Sequence, residues 1–134
     1  MLANGAKLEY KDGDDWVKLK GLKEIPDIGT EPEKVENTDL DAKNKQYEQG
    51  IGDPGDMTYK FKYDNTDATS PYRIMREKQA AGEVLPFRET LHDGSVTEFE
   101  AQVSVKRTGG GVNGVIEFEL TMAVQGDFNY TDPA

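Results

Sequence analysis

The chain contains no cysteine and a single histidine, His92. Disulfides, thiolate metal sites, cysteine nucleophiles and multi-histidine metal sites are therefore excluded. Long apolar runs are missing too, and none approaches the roughly 20 residues that span a bilayer as a helix. The opening residues MLANGAKLEY lack the basic segment and apolar run of a secretory signal, so synthesis in the cytoplasm is expected. Positive charge is scarce: 16 Lys and Arg stand against 26 Asp and Glu, a formal net charge of -10. Such a chain repels nucleic acid phosphates rather than gripping them. What is present suits one soluble domain with a modest core: 134 residues, 35% hydrophobic and 31% charged.

Period-2 alternation dominates the pattern, which is the mark of half-buried strands. AKLEYKDGDDWVKLKGLKEI reads as a hairpin turning at Asp12-Gly13-Asp14-Asp15, with Pro26 ending its second arm. MTYKFKY puts Met57, Tyr59, Phe61 and Tyr63 on one face and Thr58, Lys60 and Lys62 on the other. SPYRIMREKQAAG is the one strong helix signal, over 70–82, with Ser70 as N-cap, Pro71 opening and Gly82 closing it. Tyr72, Met75 and Gln79 share one face of that helix, with Ile74 beside them. VLPFRETL, a His92-Asp93-Gly94-Ser95 turn and VTEFEAQVSVKRT follow as a second hairpin. GGGVNG reads as a flexible turn, and VIEFELTMAV alternates Ile116, Phe118, Leu120, Met122 and Val124 against Glu117, Glu119 and Thr121. The tail GDFNYTDPA reads as irregular, anchored by Phe128 and Tyr130. These elements predict a single mainly β (α+β) domain over 1–134. Its form is a small antiparallel β-sandwich or open barrel with one flanking helix and a long acidic loop between the second and third strands.

No residue pattern argues for an enzyme. His92 lies in a turn without an evident nucleophile or orienting partner. Asp12, Asp14 and Asp15 suggest calcium only until the loop is counted out, because Lys23 stands where an EF-hand needs a glutamate. Gly109-Gly110-Gly111 lacks the lysine and following helix of a phosphate loop. Glu98, Glu100, Glu117 and Glu119 on alternating strand positions read as a polar face rather than as an acid–base pair. Trp16 and the tyrosines suit sugar stacking, but core or interface burial is the simpler expectation for Trp16. No cofactor is implied.

The segment from Asp27 to Asp56 stands apart. It carries nine acidic residues against three lysines, more than half of the formal net charge. Loops beyond ~12–15 residues are uncommon in compact domains and tend to be functional or disordered. Ile28, Val35, Leu40, Tyr47 and Ile51 are spaced through it, as suits an extended arm that docks on a partner. VENTDL within it has some strand character.

Three phrases in this order carry a resemblance. One is a strand ending in Leu22-Lys23-Glu24-Ile25-Pro26 before a long acidic segment. The next is the return Gly52-Asp53-Pro54-Gly55-Asp56 into an aromatic strand. The third is Asp93-Gly94-Ser95-Val96-Thr97-Glu98-Phe99 opening an alternating strand. Over nearly the whole chain this resembles the major tail tube protein of long, non-contractile-tailed bacteriophages, in particular the N-terminal domain of the lambda-type protein. The lambda-type protein's C-terminal immunoglobulin-like domain has no counterpart here.

The resemblance implies a structural virion protein, not an enzyme. Subunits would form hexameric rings that stack into a tube, with four strands each in a continuous inner barrel. DNA would pass through the lumen without specific binding, and no membrane is involved. Other implied partners are a tape-measure protein, a tail-tip complex and a tail terminator. Carried onto this chain, the inner strands would be 16–24, 57–63, 96–106 and 115–124. Lumen-facing residues would be Lys18, Lys20, Thr58, Lys60, Lys62, Glu98, Glu100, Gln102, Glu117, Glu119 and Thr121. The arm, through Ile28, Val35, Leu40, Tyr47 and Ile51, would contact a neighbouring subunit or ring. A tail terminator or baseplate component of similar fold is the nearest alternative. A carbohydrate-binding β-sandwich is the more distant one.

Overall fold

Alternating apolar residues need one buried face, and the chain supplies it by curling a single sheet around its own side chains. The computed structural model describes residues 1–29, 31–36, 47–53 and 56–134. The elements in chain order are β1 (Lys7–Asp12), β2 (Asp15–Lys18), β3 (Leu22–Glu24), β4 (Glu31–Glu36) and β5 (Tyr47–Asp53). Then come β6 (Asp56–Lys62), α1 (Pro71–Ala81), β7 (Leu85–Thr90), β8 (Val96–Thr108) and β9 (Glu117–Thr131). Seven strands form one antiparallel sheet in the order β2-β1-β7-β8-β9-β6-β3.

The edge strands β2 and β3 are separated by only Leu19, Lys20 and Gly21. Four Cα steps reach at most about 14 Å, so the sheet must coil until its two ends nearly meet. Leu19 N–H bonds the Leu8 carbonyl on one side of this link, and the Gly21 carbonyl accepts from Lys62 N–H on the other. The sheet stays an open barrel, in line with the expected architecture.

β8 and β9 serve two halves of the sheet. The first six residues of β8 pair with β7, while Gln102–Thr108 pairs on that side with no strand. Likewise β9 pairs with β6 over Glu117–Ala123 and then continues along the start of β8. The sandwich corner arises because long strands pass from one half to the other. Between Glu98 and Glu100 of β8 the facing strand advances from Asn129 to Gln125. The extra residues form a bulge, from which Phe128 packs edge-on against Phe99 at 5.8 Å.

Most inward alternates are buried as expected: Leu8 and Tyr10; Met57, Tyr59 and Phe61; Leu85 and Phe87; Phe99, Ala101 and Val103; Phe118, Leu120 and Met122, while Tyr63, Val105 and Val124 are only partly buried. Phe61 stacks on its cross-strand partner Phe118 at 5.1 Å, and Phe87 on Phe99 at 5.7 Å. Such pairs add about 0.5–1.5 kcal/mol beyond the area they bury. The helix completes this core with fully buried Met75 and with Tyr72, whose ring meets Phe118 edge-on at 5.5 Å. Ser70 holds the N-cap position, but its hydroxyl turns back to accept from Asp67 N–H. Gly82 closes the helix in the left-handed conformation. Gln79 lies on the docking face as expected, and its Oε1 accepts the Val105 N–H of β8 at 2.9 Å.

Four expectations change. The run read as one strand from Trp16 to Glu24 is two, because Gly21 breaks it and the inward phase shifts from Leu19 to Leu22. The last strand starts at Glu117 rather than Val115, leaving Val115 and Ile116 exposed. The tail is not irregular, since β9 continues to Thr131. The acidic segment is not wholly loop: β4 and β5 pair as a two-stranded ribbon, with no ladder to the main sheet.

One inward position is polar. Glu89 of β7 is buried and accepts the Tyr59 hydroxyl at 2.9 Å. Burial pushes the Glu89 carboxyl above its ordinary value, although the Tyr59 hydrogen bond pulls it down. Burial, and then Glu89 itself, push the Tyr59 phenol up. Because Glu89 binds its proton more tightly folded than unfolded, its contribution is best in acid and is lost as pH rises from about 4.5 through the raised value. Denaturation midpoints of wild type and Glu89→Gln, compared between pH 4 and 8, are expected to show wild type losing ground as pH rises.

Candidate functional site

The outward alternates of the sheet form a continuous polar face, and cross-strand register determines who meets whom. In the half made by β3, β6, β9 and the end of β8, one row runs Glu24–Lys60–Glu119–Lys106 across all four strands. Its charges alternate, and Lys60 Nζ lies 3.3 Å from Glu24 Oε2. The next row is hydroxylic: Thr58, Thr121 and Ser104, with the two threonine oxygens 3.1 Å apart. On the far side Lys62 faces Glu117, which is also ion-paired with Lys23. A last row joins Asp56, Ala123 and Gln102.

Each such pair is worth about 0.2–1 kcal/mol, so stability is not the main consequence. The consequence is charge balance. Four carboxylates (Glu24, Asp56, Glu117, Glu119) share this half-face with four lysines (Lys23, Lys60, Lys62, Lys106). In a chain of net charge -10, this half-face is neutral.

Of the lumen candidates, Thr58, Lys60, Lys62, Gln102, Glu117, Glu119 and Thr121 are brought together here. Lys18 and Glu98 lie on the same side of the sheet but in its other half, in the row Lys18–Glu9–Arg88–Glu98–Asn129. Glu100 is exposed beside the β9 bulge, and Lys20 sits in the link between β2 and β3. Lys23, Glu24, Ser104 and Lys106 were missed. The first two lie past the break at Gly21, where alternation loses its phase, whereas Ser104 and Lys106 follow directly from the β8 alternation. Of the arm residues, Ile28 packs partly buried against the subunit's own core. Val35, Tyr47 and Ile51 fall on β4 and β5, and Leu40 lies outside the described residues.

Trp16 lies on the outward face rather than in the core, half-buried at a cleft of about 500 Å3 that Glu98, Glu100 and Asp127 also line. The Arg88 guanidinium stands 4.5 Å from the indole centroid and grips Glu9 with two hydrogen bonds of 3.0 and 3.3 Å. One face of the indole is therefore taken, which weakens it as a sugar-stacking platform. His92 is exposed, and the neighbouring Asp93 carboxylate is lowered from its ordinary value by the backbone N–H and hydroxyl of Ser95. Among the described residues, no group of three or more His, Asp or Glu is placed to hold a metal, and no helix is long and apolar enough to cross a membrane.

The sequence matches the family model described as phage tail tube, TTP, lambda-like, over residues 1–130. No curated protein matches it. Among solved structures, the fold is similar to a chain in the tail of an empty gene transfer agent particle refined helically with C6 symmetry. That chain is 22% identical with a TM-score of 0.73, and the match covers 96% of this chain and 98% of that one. A chain of the native gene transfer agent virion is 21% identical with a TM-score of 0.70, covering 94% and 95%. A chain of the six-fold symmetrised anti-feeding prophage baseplate is 10% identical with a TM-score of 0.72, covering 98% and 95%.

Removing Arg88 leaves buried Glu9 with only the longer Lys7 contact at 3.8 Å and uncovers the indole. Arg88→Ala is expected to cost about 1–3 kcal/mol and to red-shift the emission of Trp16, the chain's only tryptophan. Arg88→Lys keeps the charge but not the two-pronged grip, and should fall between them in both measurements.

Proposed function

Because the chain belongs to the lambda-like phage tail tube family, we propose that it is a non-catalytic subunit that stacks as hexameric rings into the tail tube. In this reading the neutral face of β3, β6, β9 and the end of β8 lines the lumen. The charge balance of that face is the observation that carries the assignment. Nonspecific DNA binding draws on counterion release at a positive surface, and a strongly negative wall would oppose entry. Paired charges and hydroxyls give neither adhesion nor repulsion, as a conduit for DNA requires.

Two further observations support assembly. β3 pairs on one side only, and so does the Gln102–Thr108 half of β8. These are the two borders of the proposed lumenal half; the β3 edge is open to pairing with another chain, whereas α1 lies along the β8 border, where Gln79 Oε1 already takes the Val105 N–H. Six-fold symmetry in the similar gene transfer agent tail supports a hexameric ring. The β4–β5 ribbon has no ladder to the main sheet, and the segment 27–56 that contains it holds more than half of the net negative charge. It acts as the arm that reaches a neighbouring subunit or ring, while repulsion keeps free subunits apart until a tail-tip complex and tape-measure protein template the tube. A baseplate or terminator role is the second reading, favoured by the likeness to the anti-feeding prophage baseplate. Rings that never stack would decide for it.

Purified subunits, concentrated or seeded with tip complexes, are expected to form hollow tubes of uniform width in negative stain. A protein that stays monomeric under all these conditions sinks the reading. Deleting Glu31 to Gln49 should leave a cooperatively unfolding domain that no longer polymerises, by circular dichroism and sedimentation. Asp56→Asn with Glu119→Gln leaves the lumenal half-face two positive charges in surplus. Tails carrying both should release DNA more slowly, and added salt should narrow the gap.

A further inference from the structure

The two ends of the long β8–β9 hairpin are unlike each other, and both are apolar. At one end, Thr108 to Ile116 is the longest run in the chain without a charged residue. Val112 there is 96% exposed, Val115 69% and Ile116 45%. This tip is tightly closed. Gly109 adopts φ +84°, and a side chain at that position would overlap the Val115 carbonyl oxygen, 1.9 Å from its Cβ. The Gly114 N–H bonds the Gly111 carbonyl across the turn. The valines are thus presented outward on a fixed support rather than folded back onto the sheet.

At the other end β8 starts beside the turn that carries His92. There Met1, Leu2, Asn4, Gly5 and His92 line a depression of about 470 Å3. Met1 and Leu2 are 79% and 77% exposed, and residues 1–6 carry no charged side chain. Gly5, at φ +86°, lets the imidazole close the wall, since a Cβ there would sit 3.1 Å from His92 Nδ1. The tip and the depression lie at opposite ends of a 13-residue strand, roughly 40 Å apart along its path.

Resting on the tube reading above, we propose that the Val112–Ile116 tip of one copy seats in the Met1–Leu2–His92 depression of the next, joining successive rings along the tube. Two observations select a second copy as occupant. Copies at -10 each repel wherever their acidic surfaces approach, and these are two patches without acidic side chains, at which they need not. The patches are also different and lie at opposite ends of β8, which suits a head-to-tail contact that repeats without limit. Identical patches would close a dimer instead. Lateral contacts belong to the sheet edges, so this contact is left for stacking.

The absence of cysteine makes the contact directly testable by Leu2→Cys combined with Val112→Cys, oxidised after tube formation. The expected result is a ladder of multimers on non-reducing gels that collapses on reduction, with each single variant giving dimers at most. The two sulfurs of one subunit cannot reach each other, because a disulfide needs Cα atoms within ~7 Å. Tubes that form but yield no ladder above a Leu2→Cys with Lys106→Cys control overturn the contact and leave the tube reading intact. A wild type that makes no tubes, with no ladder in the variant, overturns both. Val112→Glu gives a second measurement. It is expected to halt assembly at rings or subunits of normal thermal stability, and tubes of wild-type length would overturn the contact.

Discussion

β8 and β9 are longer than any single layer of this small domain needs, and that excess length shapes everything else. Each strand leaves one half of the sheet and enters the other, so the two halves share a backbone ladder. Because side chains alternate strictly, the same two strands keep Phe99, Ala101, Val103, Phe118, Leu120 and Met122 inward through the bend. The core is therefore a continuous lining rather than an interface between two separate sheets. Where β7 stops at the bend, the helix takes its place along β8, with Gln79 supplying the acceptor that a strand would have offered.

The outward face inherits the same register without being told which charges to carry. Lysines on β6 meet glutamates on β9, and Glu119 meets Lys106 on its other side. More than half of the chain's net negative charge falls in the segment 27–56. A protein can thus be strongly acidic as a whole and neutral on one half-face. Overall charge alone is a poor guide to such a surface.

The core was legible residue by residue, because burial on one side of a strand leaves an unbroken period of two. The helix was legible from its terminal residues and its Tyr72–Met75–Gln79 face. What escaped notice were the places where that period changes phase. Leu19 to Leu22 is a step of three across Gly21, and Val124 to Phe128 a step of four across Gly126. Each reads locally as a lapse in pattern, yet one is the turn between two strands and the other a bulge within one. The outward polar rows were half visible. Alternation assigns residues to faces, but register, which decides that Lys60 stands between Glu24 and Glu119, comes from pairing across about sixty residues of chain. Trp16 was expected in the core or at an interface, and it lies half-buried on the outward face. It is sheltered there by Arg88, a partner seventy-two positions away.

The three-residue link from β2 to β3 bears on how the sheet can fail. Edge strands usually peel first, since each is held on one side only. Here the two terminal strands of the sheet are consecutive in the chain, and the link between them is pinned by fully buried Leu19. Loosening either edge pulls on the other across the barrel mouth. The domain resembles a hoop whose ends are hooked together more than a ribbon with two loose ends. Strain applied at one border is passed to the opposite border, and the subunit yields as a whole or not at all.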